Sequence, residues 1–419
     1  MTDTILVDAR GQFVVGKAQT TPADEAVGFS QSVVDALGYW GIEPDEAFAS
    51  MVSGVYSGTS MLNRLLERKG GRIGLLVTRG MEDVLKLEQG IQTWLGFSYA
   101  DTLHMVTHRH HEPLVPRSRI RGVGGRIDVG GNEVIPLYED DAREGMRDLI
   151  GADLDCVCID LLFSWRNPVH EQRTKEIALE VLREAGVDIP VLISSEVCPK
   201  RGELARLNTL VIDAYAAEPS RQQLQSVRDR TRQLGAGFDL RVMSSSGDTI
   251  SIDAPQLVST LVSGPIGGCV GARYLSEQLG EPNIACGDVG GTSFDVALVM
   301  DGQTEIRLDP DVAHFKLAVP MVRMDSVGAG TGTLVRINPV SRRIELGPDS
   351  AASKVGVSNP QADIETVSIT DCDVVLGRID PDYFLGGELK LDRDRAVAAV
   401  REQLAKPLAL GVEAAAAGV

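Results

Sequence analysis

Short apolar runs alternating with helix-length amphipathic stretches constrain this chain more than any other feature. Residues 73–77 form one such run, stopped by Thr78-Arg79-Gly80 and followed by helical periodicity over 82–89. Residues 156–163 are apolar apart from Asp160 and lead into a helical stretch over 169–185. A third run at 191–193 precedes a helix predicted over 203–217, which ends ahead of Pro219. Strands buried on both faces read as unbroken apolar runs, and crossover helices join parallel neighbours, so the repeat predicts a parallel α/β sheet.

The flanking segments fit the same class. Ile5-Leu6-Val7 and Phe13-Val14-Val15 surround Asp8-Ala9-Arg10-Gly11, a predicted hairpin. Thr21-Pro22-Ala23-Asp24 has the chemistry of a helix start, with Thr21 as the cap, and Val27, Val33, Val34 and Leu37 give that helix an apolar side. A strand over 52–55 precedes a helix over 61–69 that Gly70-Gly71 stops. Residues 134–137 read as extended and 141–150 as helical. The stretch 102–131, rich in His, Arg, Pro and Gly, reads as a long surface excursion.

Length and charge narrow the function. The 419 residues exceed the roughly 150 of one domain, and the pattern suggests a division into 1–185 and 186–419. With 41 basic and 59 acidic residues the net charge is −18, which repels phosphate backbones and anionic lipid and argues against both as partners. No apolar run approaches the roughly 18 residues of a membrane span. Met1-Thr2-Asp3-Thr4 lacks the basic and apolar stretches of a secretory signal, and the six cysteines contain no C-x-x-C pair. These readings place the chain in the cytoplasm.

The chemistry concentrates between Leu261 and Met300. Ser263-Gly264-Pro265-Ile266-Gly267-Gly268 reads as a glycine-rich turn opening a helix over 270–279. A strand over 283–286, the string Asp288-Val289-Gly290-Gly291-Thr292-Ser293-Phe294-Asp295 and a strand over 296–300 then make a hairpin, closed by a turn at Asp301-Gly302. Gly290 and Gly291 let backbone N–H groups approach phosphate oxygens, and Thr292 and Ser293 add hydroxyl donors. Asp288 and Asp295 stand to either side, and a carboxylate there can hold Mg²⁺ or position a water. An Asp-Gly hairpin without a ligand has similar sequence needs; the acids, glycines and hydroxyls between matched strands favour phosphate.

Other groups are weaker candidates. His104, His108, His110 and His111 cluster without the cysteine or acidic partners of a standard zinc motif. Cys156 and Cys158 share a face of a buried strand, and nothing near Cys269 or Cys286 would depress a thiol pKa. Asp371 can face a nucleotide or cap a turn before a strand over 374–376. Lys17 can be structural or reach a phosphate.

Asp288-Val289-Gly290-Gly291-Thr292 resembles the phosphate motif of the actin/hexokinase-type ATPases. Together with the Gly264–Gly268 stretch it resembles the hydantoinase A/oxoprolinase family. Gly58-Thr59-Ser60, Asn167-Pro168-Val169-His170-Glu171, Ser194-Ser195-Glu196, Gly328-Ala329-Gly330, Leu346-Gly347-Pro348-Asp349-Ser350 and Phe384-Leu385-Gly386-Gly387 extend the resemblance over essentially the whole chain. Arg79-Gly80-Met81-Glu82-Asp83, Met324-Asp325-Ser326-Val327-Gly328 and Lys354-Val355-Gly356-Val357-Ser358-Asn359 resemble the ketone carboxylase branch, the acetone carboxylase β subunits in particular. Ser246-Gly247-Asp248 departs from the glycine pair of relatives.

The resemblance implies an α/β fold with two ribonuclease H-like lobes, the second carrying Asp288, and incomplete at both termini. Thr2 and Asp3 look like the tail of a first phosphate turn, and Val419 precedes the family's adenosine-binding segment. It implies a split gene, a fragment or a misplaced start, and weak ATP binding by the isolated chain. For the complete enzyme it implies ATP, Mg²⁺ bound through Asp288, phosphate contacts from Gly264, Gly267, Gly268, Gly290, Gly291, Thr292 and Ser293, and Asp371 facing the nucleotide. The activity implied is phosphorylation of bicarbonate and a ketone, acetone foremost, for β-keto acid formation. It further implies a hetero-oligomer with a hydantoinase B-like large subunit and a small third subunit, with manganese in a partner subunit. Two rivals remain: ATP-dependent opening of a cyclic amide, as in hydantoinases and 5-oxoprolinases, and a non-catalytic fragment.

Overall fold

The computed structural model describes residues 2–19, 21, 24–66, 68–88, 112–291, 294–327, 329–339, 341–351 and 354–419. The chain forms two compact units that are not consecutive halves of the sequence. One comprises Asp3–Gly267 with Ile306–Val322, and the other contains Gly268–Glu305 with Arg323–Val419. Its secondary structure is mixed α/β, as the alternation predicts.

The first unit is built on a four-stranded parallel sheet in the order Ile120–Val123, Ile73–Thr78, Cys156–Asp160, Val191–Ile193. Every residue of Ile73–Thr78 is buried, because the strand has neighbours on both edges and helices over its faces. Leu76, Val157 and Ile159 pack with Met146 and Leu149 of the Glu139–Ile150 helix and with Ile177 and Val181 of the Val169–Ala185 helix. Burying side chains of this size stabilises by about 1.5–3 kcal/mol each.

The Ile120–Val123 strand corrects the expectation of an excursion across 102–131. Four residues carrying an arginine and a glycine give no apolar run. Only Ile120 and Val123 are buried, while Arg121 reaches Asp148 with Nε 3.1 Å from Oδ2. Gly122 is required by space, since a Cβ there would sit 2.9 Å from the Arg79 Cα.

A second correction concerns Pro219, expected to end a helix. The helix runs Glu203–Gln233 with Pro219 inside it. Proline removes the N–H that would bond the carbonyl four residues back, which is Tyr215. That carbonyl instead accepts from the Gly71 N–H at 2.9 Å. Gly70 permits the approach, because a Cβ would lie 2.4 Å from the same oxygen.

The N-terminal hairpin forms as expected, from Thr2–Val7 and Phe13–Ala18. The Glu25–Gly38 helix covers it so closely that a Cβ on Gly16 would be 2.0 Å from the Ser32 carbonyl oxygen. The cap of that helix is Asp24, accepting from the Ala26 N–H at 3.1 Å, one turn later than the expected Thr21.

In the second unit, Ile284–Val289 pairs antiparallel with Phe294–Met300, which also pairs with Met324–Val327 and Gln303–Thr304. Asp301 and Gly302 both have positive φ, 51° and 72°, as a two-residue turn matched to strand twist requires. A separate core gathers Val335, Val367, Cys372, Val374, Val400 and Leu404. The strand expected over 374–376 is instead part of the Ile369–Val375 helix. Three apolar residues carry no period; the local decision belongs to Ser368 and Asp371, which close a capping box.

Candidate phosphate site

Strand register sets the central geometry. Asp288 lies directly opposite Asp295, and Val289 opposite Phe294, at the mouth of the hairpin. Directly paired residues share a face, so two carboxylates stand on one side of the hairpin. Asp288 is exposed and Asp295 half-buried. Among the described residues no group of three or more His, Cys, Asp or Glu side chains could hold a metal ion. Two hard oxygen ligands without a protein cage fit Mg²⁺, which keeps waters and completes its shell with phosphate oxygens.

Cys286 is two residues before Asp288 and therefore on the same face. Gly268 lies against it, since a Cβ there would be 3.9 Å from Cys286 Sγ. The adjacent Cys269 thiol is pushed up to about 11 by burial first, then by Cys286, with Asp288 and Asp295 adding to the effect. It stays protonated at neutral pH and is no nucleophile. All six cysteines are free, five of them buried.

The tip itself is tied down by its carbonyls. Gly290 O accepts from Thr331 N at 2.9 Å, and Gly291 O accepts from Gly332 N at 2.8 Å and Ser350 Oγ at 3.0 Å. Thr292 and Ser293 lie outside the described residues, as do His104, His108, His110 and His111.

Gly264 and Gly267 belong to the first unit. Together with Gly268 they form the opening of the Gly264–Leu279 helix rather than a turn ahead of it. A Cβ on Gly264 or Gly267 would make only ordinary contacts at 3.9 Å, so space alone does not demand glycine there. Ser263 is buried, donating to Gly58 O at 2.7 Å and accepting from Gly58 N at 3.0 Å. Thr2 opens the first strand, and the exposed Asp3 pairs with Lys17 at 2.6 Å. That pair gives Lys17 a partner within the hairpin.

For Asp371 the geometry supports capping. The side chain is fully buried, and its oxygens accept from the N–H groups of Val357, Ser358 and Ser368 at 2.8–2.9 Å. No face is left for a nucleotide. Asp248 closes the turn between Leu240–Met243 and Thr249–Ser251, held by Ser244 and by Ser246 at 3.0 Å.

Sequence reasoning missed one cluster. Arg206 is fully buried with Nε 3.0 Å from Asp160 Oδ1 and 2.8 Å from Ser194 Oγ, while Glu171 accepts from Leu161 N at 2.9 Å. Burial outweighs the pull of Arg206 and pushes the Asp160 carboxyl up to about 7. The one available signal was an aspartate ending an apolar strand.

Residues 1–182 match the hydantoinase/oxoprolinase N-terminal region, and residues 206–419 match the hydantoinase/oxoprolinase domain. The chain belongs to the hydantoinase/oxoprolinase family. It is 52% identical to the acetone carboxylase beta subunit of Xanthobacter autotrophicus over 419 residues, all of this chain and 58% of that one. A solved nucleotide-free acetone carboxylase structure superposes with a TM-score of 0.89 at 52% identity, covering 99% of this chain and 59% of that chain. The ATP-dependent caprolactamase of Pseudomonas jessenii superposes with a TM-score of 0.80 at 30% identity, with the same 99% and 59% coverage. The chain thus spans about three-fifths of the length of these relatives, and the expected family resemblance is borne out. Among the described residues no helix is long and apolar enough to cross a membrane.

Proposed function

We propose that this chain is the ATP-dependent activating part of a ketone carboxylase, in an actin-like two-lobed ATPase fold. The observation that carries the reading is 52% identity across the whole chain to an acetone carboxylase subunit, against 30% for the caprolactamase. The paired Asp288 and Asp295 and the glycine tip between them support it from the physical side.

Bicarbonate is a poor electrophile and a ketone a poor nucleophile. Phosphorylating one to carboxyphosphate and the other to an enol phosphate supplies the leaving group and the nucleophile for β-keto acid formation. Phosphoryl transfer needs positioning and charge neutralisation above all. Gly290 and Gly291 give the phosphates close backbone approach, and Asp288 and Asp295 would hold Mg²⁺. When bound, that ion neutralises charge on the transferred group. Carbon–carbon bond formation belongs, on this reading, to a manganese-containing partner subunit, in a cytoplasmic assembly with a hydantoinase B-like large subunit and a small third subunit.

Ring opening of a cyclic amide is the second reading, favoured by the caprolactamase superposition. Substrate dependence separates the two. ATP hydrolysis by the assembled enzyme that rises with acetone and bicarbonate, and not with caprolactam, hydantoin or 5-oxoproline, supports carboxylation. The reverse pattern overturns it.

A further inference from the structure

The Gly290–Gly291 tip is not held by its own two strands alone. The Gly290 carbonyl accepts from Thr331 twice, from N at 2.9 Å and from Oγ1 at 3.3 Å. A trans peptide points its C=O and N–H to opposite sides. With the Gly290 carbonyl fixed on Thr331, the N–H of Gly291 is turned to the other side, where a phosphate oxygen can meet it. Thr331 is fixed in its turn, because its carbonyl accepts from Thr370 N at 3.0 Å and Thr370 Oγ1 at 2.9 Å.

Thr370 is only 2% exposed and sits in the first turn of the Ile369–Val375 helix, beside the Ser368 and Asp371 cap. Hydrogen bonds therefore run from a buried, locked helix start through Thr331 to the tip. The backbone N–H of Thr370 already satisfies the Thr331 carbonyl. Its hydroxyl adds a second donor that narrows the orientation of this loop.

We propose that Thr370, acting through Thr331, is a positioning residue that sets nucleotide affinity at the glycine tip without touching the nucleotide. The inference rests on the reading of that tip as a phosphate site. A residue serving stability alone would behave like Ser276, which is also buried in the second unit and donates to the Glu281 carbonyl at 2.6 Å, away from the tip.

The test is Mg-ADP titration calorimetry on the full chain in its purified assembly, beside thermal melting. Losing one orienting hydrogen bond corresponds to about a fivefold to tenfold weaker Kd. Thr370→Val should show that weakening, and Thr370→Ser should stay within about twofold of the parent. Ser276→Ala should melt at a lower temperature with unchanged affinity. Thr331→Ala, at an exposed position that leaves folding intact, should weaken binding about threefold through loss of its Oγ1 bond alone. Parent-like affinity in both Thr370→Val and Thr331→Ala overturns the inference while leaving the phosphate reading in place. Equal weakening by Ser276→Ala overturns it too, as general softening. Failure of the parent chain to bind Mg-ADP overturns the phosphate reading along with it.

Discussion

Replacing Asp371 with asparagine should loosen the second unit locally and severely. The carboxylate accepts the N–H groups of Val357 at 2.9 Å, Ser358 at 2.8 Å and Ser368 at 2.8 Å, with the Ser368 hydroxyl at 3.0 Å. Oδ1 serves Ser358 and Oδ2 serves the rest, so an asparagine oxygen can replace only one of them. In its better orientation the new NH₂ faces the Ser358 N–H, losing one charge-assisted bond worth about 1.5–3 kcal/mol and stranding a buried donor at about 1–3 kcal/mol. The remaining bonds also lose their charge assistance. The sum is about 2.5–6 kcal/mol, against a typical total stability of about 5–15 kcal/mol. Amide hydrogen exchange of Val357, Ser358 and Ser368 reads this directly. Their protection should fall by about a hundredfold to ten-thousandfold. A fall of less than about threefold would refute the assignment of Asp371 as the hub of this cap.

Gly290→Val and Gly291→Val should each weaken Mg-nucleotide binding far more than they lower the melting temperature; a collapsed melt with normal binding by the folded remainder would make the tip structural. Gly70→Ala should lower the melting temperature by several degrees, since its Cβ would stand 2.4 Å from the Tyr215 carbonyl oxygen; an unchanged melt would mean the helix through Pro219 tolerates a shift there. The Asp160 carboxyl, near 7 when folded, binds its proton more tightly than the unfolded chain does. Its contribution to stability is therefore full below about pH 4 and lost as pH rises through about 7. Asp160→Asn should flatten the stability profile across that window, and an unaltered slope in denaturant titrations would show that another group sets it.

The sequence was legible where one residue type settles a local question. Apolar runs placed the central strands, and Gly290 and Gly291 between acids marked the hairpin. It was illegible where a partner distant in the chain decides. Pro219 stays within a helix because Gly71, nearly 150 residues earlier, takes up the orphaned Tyr215 carbonyl. Ile120–Val123 joins the sheet because a neighbouring strand offers an edge, although its own four residues give no period. The sequence around Asp371 fits a cap and a nucleotide contact equally, and three backbone donors from two segments decide for the cap. The grip of Thr331 and Gly332 on the tip leaves no periodic trace, since its shortest bonds are made by backbone groups.

The central claim is that this chain's Asp288 hairpin serves ATP-driven activation of bicarbonate and a ketone. Its most direct test follows ¹³C-bicarbonate by NMR in the complete assembly with acetone and Mg-ATP, comparing the parent chain with Asp288→Asn. The account predicts ATP-dependent label in the carboxylate of the β-keto acid for the parent. For the variant it predicts a loss of at least about a hundredfold with assembly retained, on the scale of removing one charge-stabilising group. Label incorporated equally by parent and variant, or ATP turnover by the parent without label entering any β-keto acid, would contradict it.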